Sequence, residues 1–359
     1  MRMRRTLFPL LAAMLAVVAT SPTAQAALTA TPIATGLAFP NALTVAPDGT
    51  IFYGERLTGK IGWIDAVTGA RHAFATIPIP GRVPGRGIQS LALHPRYPAQ
   101  PYLYISVART VSGAGKVQLL RLTNSSGRGT GLRTLFQAPT GSDHNASRVA
   151  FGNDGKLYMA IGEAGSPAKA QNPNLANGKV LRMNLLGGIP KGNPFPNSRV
   201  WAYGLRNTIG MAFDPQTGRL WETENGPECN DEVNRIIRGG NYGWGPSQSC
   251  TSPPPAPANT NQDGPSPILP QVWYAVPFGP TGAAFCDAAC SLGVGSAGAF
   301  FFGAFNTGDI RMLTLGATRL TVASQEIVYT HTSGVLAVES DHNGGIVFSE
   351  PGGIYRLRP

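Results

Sequence analysis

The sequence predicts an all-β fold, a six-bladed β-propeller of four-stranded antiparallel blades. Three observations carry that expectation. Glycine and proline are abundant (45 and 31) while only 13% of residues are charged, a composition that suits short strands and tight turns better than amphipathic helices. One unit recurs, a turn of Asp/Asn-Gly type followed by an alternating apolar strand, as in the Leu157-Tyr158-Met159-Ala160-Ile161 run. It recurs six times at intervals of about 40 to 80 residues, the span of a propeller blade. An open sandwich would use similar turns.

Taken in order, residues 1–26 read as an export signal. Arg2, Arg4 and Arg5 form a basic start, an apolar run follows that is short for a membrane span, and Ala24-Gln25-Ala26 is a small-x-small cleavage site. Arg4-Arg5 also loosely fits a twin-arginine signal. No other segment is long and apolar enough for a membrane helix. The expected mature protein, 27–359, is secreted or periplasmic. The repeats fall at 46–56, 94–106, 151–163, 213–226, 295–313 and 340–357, and a first strand at 31–35 is expected to close the ring beside 354–357. A Pro-rich stretch of about 246–280 reads as an insertion loop, and 231–238 as a short helical turn. Cys229, Cys250, Cys286 and Cys290 suggest disulfides, most simply 229 with 250 and 286 with 290, with three pairings open.

Removing three arginines with the leader takes the net charge from +10 to +7. The basic residues are scattered, without runs or interleaved aromatics, which argues against nucleic-acid binding. No GxSxG elbow, Walker loop, HExxH helix or dinucleotide fingerprint occurs.

Two stretches hold residues that make poor core filler. His144 follows Asp143 just before a strand, and Glu163 ends the next one; a histidine supported by carboxylates can act as a general base near neutral pH. Between Trp201 and Trp244 lie Arg206-Asn207, the acids Glu222, Glu224, Glu228, Asp231 and Glu232, a Gly226-Pro227 step and Asn241-Tyr242-Gly243-Trp244. Acids and carbonyl-exposing turns on one short segment suit a hard, oxygen-loving cation such as calcium.

With 87–95, 170–184 and 239–245, these stretches resemble the soluble PQQ-dependent aldose sugar dehydrogenases, the glucose/sorbosone dehydrogenase family. The resemblance implies oxidation of an aldose at its C1 hydroxyl to a lactone, with electrons passed to an external acceptor. It implies His144 as catalytic base, Glu163 where the family usually has a supporting aspartate, and Asp143 beside them. Arg206 and Asn207 would contact the PQQ cofactor. The carbonyls of Gly226 and Pro227 would hold an active-site calcium, and Asp231, Glu232 and the carbonyl of Tyr242 a second, structural one. The sequence departs from the family where the better-known members place a lysine and two arginines against the cofactor. The nearest counterparts here, Asn306 or Thr307, Thr332 and Gly334, are uncharged, and Arg311 is a candidate substitute. Two other functions stand as alternatives. One is a non-enzymatic, calcium-stabilised propeller that binds a glycan or protein partner, favoured by the neutral last blades and the expected disulfides. The other is a metal-dependent sugar lactonase, which needs carboxylates converging from several blades, a set the sequence does not show.

Overall fold

In a computed structural model the described residues are 27–79, 83, 85–250 and 261–359; the expected export signal lies outside them. Six four-stranded antiparallel sheets form the chain. The first is Ala42–Val45, Ile51–Gly54, Lys60–Ile64 and Arg71–Thr76, and the second Gly87–Leu93, Tyr102–Val111, Ala114–Ser125 and Arg128–Pro139. The third is Ser147–Phe151, Leu157–Ile161, Lys179–Met183 and Val200–Tyr203; the fourth is Thr208–Phe213, Leu220–Glu224, Asp231–Ile236 and Val272–Tyr274. The fifth is Pro280–Phe285, Phe300–Ala304, Asp309–Leu315 and Val322–Thr330. In the sixth, Ala337–Ser340, Ile346–Glu350 and Gly353–Arg358 are completed by the N-terminal strand Thr29–Thr35.

That last pairing closes the ring as expected, antiparallel, with Thr31 opposite Arg356 and Thr35 opposite Gly353. The first strand of each blade packs beside the first strand of the next, and the sixth returns to the first. The predicted turns join first to second strands. In the third blade Gly155 takes φ +67°, and Asp154 accepts the Lys156 N–H at 3.0 Å. Glycine meets the positive φ without steric cost and aspartate tightens the turn.

The apolar core is divided among the interfaces between blades. Phe52, Ile61 and Ile88 fill the first, and Trp221, Phe300 and Phe302 that between the fourth and fifth. Each such side chain withdrawn from water contributes about 1.5–3 kcal/mol, so a blade is stable only with its neighbours. Salt bridges tie the rim: Arg319 of the fifth-blade turn grips the fully buried Asp214 of the fourth at 2.6 and 2.8 Å.

Two sequence expectations need correction. The stretch 231–238 is not a helical turn: Asp231–Ile236 is a strand, held between Leu220–Glu224 and Val272–Tyr274. Pairing on both sides outweighs the weak local signal. The Pro-rich stretch is not wholly insertion either, because Val272–Tyr274 supplies the outer strand of the fourth blade; residues 251–260 lie outside the described set. Both expected disulfides are present, Cys229–Cys250 and Cys286–Cys290.

Candidate active site

Every first strand begins at the same end of the central channel, so the loops that precede them converge there. His144 lies in the third-blade loop with φ +49°, a conformation uncommon for a side chain of its size. Asp143 Oδ1 accepts its backbone N–H at 2.8 Å. Its Nδ1 is bonded to Glu163 Oε1, and an ionised carboxylate only accepts, so Nδ1 carries the proton and Nε2 keeps a lone pair. Glu163 is 1% exposed. Its other oxygen accepts the Ser166 N–H, and its own N–H donates to the Arg206 carbonyl at 2.8 Å. The imidazole therefore has a fixed tautomer and a rigid support. Asp143 is 70% exposed, with its Oδ2 3.5 Å from His144 Nε2. Gly162 permits this packing: a Cβ there would meet the His144 carbonyl at 2.2 Å and Asn207 Oδ1 at 3.0 Å.

The fourth blade supplies the facing wall. Arg206 donates from its N–H to Glu224 and from Nη1 to the Asn225 carbonyl at 2.8 Å, and its guanidinium lies 5.5 Å from the Trp244 ring centre. Burial lowers its pKa, opposed by the charges of Glu224, Glu163, Asp143 and Asp231 in that order. Asn207 Oδ1 is buried without a partner among the described residues.

Two cavities adjoin this wall. The larger, about 430 Å³, is lined by Phe39, Arg56, Arg148, Gly226, Asp231 and Asn306 among others, within the range of cofactor sites. The smaller, about 20 Å³, lies among Arg206, Glu224, Pro227, Glu232, Tyr242 and Gln248, room for one ion or water. Arg148 sits at the axis beneath the larger cavity. It donates from Nη1 to the carbonyls of Asn41 (3.0 Å) and Gln89 (2.9 Å) and from Nε to that of Ile209. Burial pushes its pKa down to about 10 against the opposing charge of Glu339, whose carboxyl burial pushes up to about 8.

Oxygen donors suited to a hard cation are present. Among the described residues, the carbonyls of Gly226 and Pro227 accept no hydrogen bond, and Glu222 Oε2 and Glu224 Oε2 are buried without partners. Asn234 Nδ2 bridges Glu222 (2.8 Å) and Glu232 (3.0 Å). Burial first, and then the charge of Glu232, raises the pKa of Glu222, while burial and then the charges of Glu222 and Glu232 raise that of Glu224, the electrostatic signature of crowded, desolvated carboxylates. Among the described residues no three His, Cys, Asp or Glu side chains are disposed to hold a metal together, so a cation would draw on two carboxylates and on carbonyls.

The structure separates residues that the sequence grouped. Asp231 and Glu232 alternate across their strand: Asp231 lines the larger cavity and Glu232, with Tyr242, the smaller, while Gly226 and Pro227 reach both. Both Asp231 oxygens already receive backbone N–H groups, from Gly226 (2.9 Å), Phe278 (2.7 Å) and Gly279 (2.9 Å). That makes it a brace for the Gly226-Pro227 loop. The Tyr242 carbonyl accepts Asn261 Nδ2 at 2.8 Å. Arg311 does not replace the missing cations: it pairs with Asp309 at 2.9 Å and stacks 4.1 Å from the Phe278 ring centre, lining a separate cavity with Tyr274. The cations that do reach the larger cavity, Arg56 and Arg148, come from the first and third blades. Sequence reading missed both, although an arginine inside the otherwise apolar strand Ser147–Phe151 was a signal.

The glucose/sorbosone dehydrogenase family model matches residues 37–356. The chain belongs to that family. It is 31% identical over 280 residues to an uncharacterized protein of Synechocystis, covering 69% of this chain and 67% of that one. It is 34% identical over 238 residues to quinoprotein glucose dehydrogenase B of Acinetobacter calcoaceticus, covering 57% of this chain and 50% of the relative. The match therefore spans only half of that relative's length. Among solved structures, the PQQ-bound aldose sugar dehydrogenase of Streptomyces coelicolor superposes with a TM-score of 0.77 at 24% identity, covering 94% of this chain and 99% of that one. The apo-form of the soluble Escherichia coli aldose sugar dehydrogenase gives 0.80 at 22%, covering 92% and 99%. These two likenesses speak to the fold. No helix among the described residues is long and apolar enough to cross a membrane.

Proposed function

We propose that this protein is an exported, PQQ-dependent aldose dehydrogenase that oxidises the sugar C1 hydroxyl to a lactone with calcium assistance and passes electrons to an external acceptor. The observation that carries this reading is the His144–Glu163 pair, a base with a fixed tautomer whose buried carboxylate residue is tied through its backbone N–H to the Arg206 carbonyl. His144 Nε2 takes the proton of the C1 hydroxyl, and buried Glu163 stabilises the imidazolium that forms. Arg206 and the Asn207 amide hold positive charge and polar contacts on the facing wall, while the Gly226 and Pro227 carbonyls suit a calcium ion. When bound, the quinone supplies the hydride acceptor. Glu224 and Glu232, beside the smaller cavity, suit a second cation.

The test is to add PQQ and calcium to purified protein and follow dye reduction across a panel of aldoses; no reduction with any sugar would end this reading. A second reading, a calcium-stabilised propeller that binds a glycan or protein without catalysis, is favoured by the uncharged Asn306 on the fifth-blade side of the cavity. Calcium-dependent stabilisation with no effect of PQQ supports it.

A further inference from the structure

The larger cavity holds one cation that neither the histidine pair nor the oxygen donors engage. Arg148 is occupied by three carbonyls and faces Glu339. Arg56 is not so occupied. Its Nε donates to the Arg86 carbonyl at 3.1 Å; Nη1 and Nη2 have no hydrogen-bond partner and the side chain no salt bridge among the described residues. Burial depresses its pKa, with Asp143 the charge that opposes this.

The surroundings hold Arg56 in place. Its backbone N–H donates to the Phe39 carbonyl at 2.9 Å, and its guanidinium lies 5.3 Å from the Phe39 ring centre. Phe39 itself adopts φ +61° and faces Phe305 of the fifth blade, ring centres 6.3 Å apart. Arg56 is part-buried and lines the cavity, so its two unused donor nitrogens are open to an anion that enters there. Two aromatic rings at the same cavity wall suit a flat, conjugated ligand.

We propose that Arg56, set against Phe39, grips a carboxylate of a planar aromatic polycarboxylate in the larger cavity, so that the first blade supplies the charge that the fifth and sixth blades lack. This rests on the quinone reading above, where PQQ is the tricarboxylate. The guanidinium fork matches a carboxylate with two parallel N–H donors, which lysine cannot reproduce.

The experiment measures equilibrium binding of PQQ to the full calcium-loaded protein by quenching of tryptophan fluorescence. Arg56→Gln, Arg56→Lys and the distant, exposed Arg128→Gln are compared with wild type. Arg56→Gln is expected to weaken binding about 10- to 100-fold, Arg56→Lys to recover part of that, and Arg128→Gln to change nothing. Affinity of Arg56→Gln within about two-fold of wild type, on the scale of a lost charged hydrogen bond, overturns the assignment. If Arg56→Gln fails to fold by circular dichroism, Arg56→Lys decides: weaker binding supports the grip and unchanged binding overturns it. If wild type does not bind PQQ, the quinone reading falls. Benzene-1,3,5-tricarboxylate, a flat tricarboxylate with no redox chemistry, then tests Arg56 alone by calorimetry. Binding by wild type and not by Arg56→Gln keeps the anion grip, and no binding by either removes it.

Discussion

Arg148 Nη1 and the carbonyl oxygen of Asn41 lie 3.0 Å apart across the propeller axis, joining residues 107 positions apart in sequence. The same guanidinium reaches the second and fourth blades through Gln89 and Ile209. One side chain thus links four blades and forms the floor of the candidate cofactor cavity. Arg148→Met should strip three part-buried carbonyls of their charged donor, each such bond contributing about 1.5–3 kcal/mol. The expected result is a lower urea midpoint, and an unchanged midpoint would show that the axis does not depend on this contact.

The histidine pair gives a kinetic prediction. His144→Ala should lower kcat about 10²- to 10⁴-fold, the usual contribution of a general base, while PQQ binding measured by fluorescence stays near wild type. Glu163→Gln keeps the shape but loses the charge that stabilises the imidazolium, so a smaller loss of kcat is expected. Full activity in His144→Ala would remove this residue from the chemistry.

The carboxylates beside the smaller cavity predict a calcium response. At a calcium concentration about 100 times its Kd, stability should rise by about 2.7 kcal/mol, and a chelator should reverse it in calorimetry. Glu224→Gln removes a carboxyl whose charge is disfavoured by burial and by Glu222 and Glu232, with Arg206 opposing them. That variant should be at least as stable as wild type without calcium and respond less to it. An undiminished response would place the ion elsewhere.

Asp214 predicts the acid behaviour. Burial opposes its charge, but hydrogen bonds from Arg319, Thr217 and the Gln216 N–H, with the Arg319 charge, hold its pKa below the ordinary value. Because the folded pKa is depressed, this stability is present above the unfolded value of about 3.9 and is lost as pH falls below it. Asp214→Asn should cost about 3–5 kcal/mol at neutral pH, and the gap from wild type should narrow in urea titrations below about pH 4. A pH-independent gap would show that the loss is one of packing.

The Cys229–Cys250 link closes a segment whose ends, Cys229, Gln248 and Ser249, line the smaller cavity. Replacing both cysteines with serine should lower stability by about 3 kcal/mol through the freed loop and weaken the calcium response. A loss of stability with an intact response would confine the disulfide to the fold.

Much of this molecule was legible in the chain. The recurring Asp/Asn-Gly turns and period-two apolar runs reflect local rules, the positive φ of turn glycines and the alternation of a strand, so blade number and ring closure followed from pattern. His144 and Glu163 were legible because they flank one hairpin of the third blade, whose register sets them near each other. By contrast, 231–238 reads locally as a possible helical turn and becomes a strand only because two neighbours offer hydrogen bonds on both sides. The split between Asp231 and Glu232 follows from that same pairing.

The sequence by itself determined the repeat, the strands, the disulfide partners at their simplest pairing and the candidate base. Only the tertiary structure decided which charges meet at the axis. Arg56, Arg148 and Asp231 come from the first, third and fourth blades, and closure of the ring, driven by burial of apolar surface between blades, carries them to one cavity. It also takes Arg311, the nearest cation in sequence, to another place, beside Asp309 and Phe278.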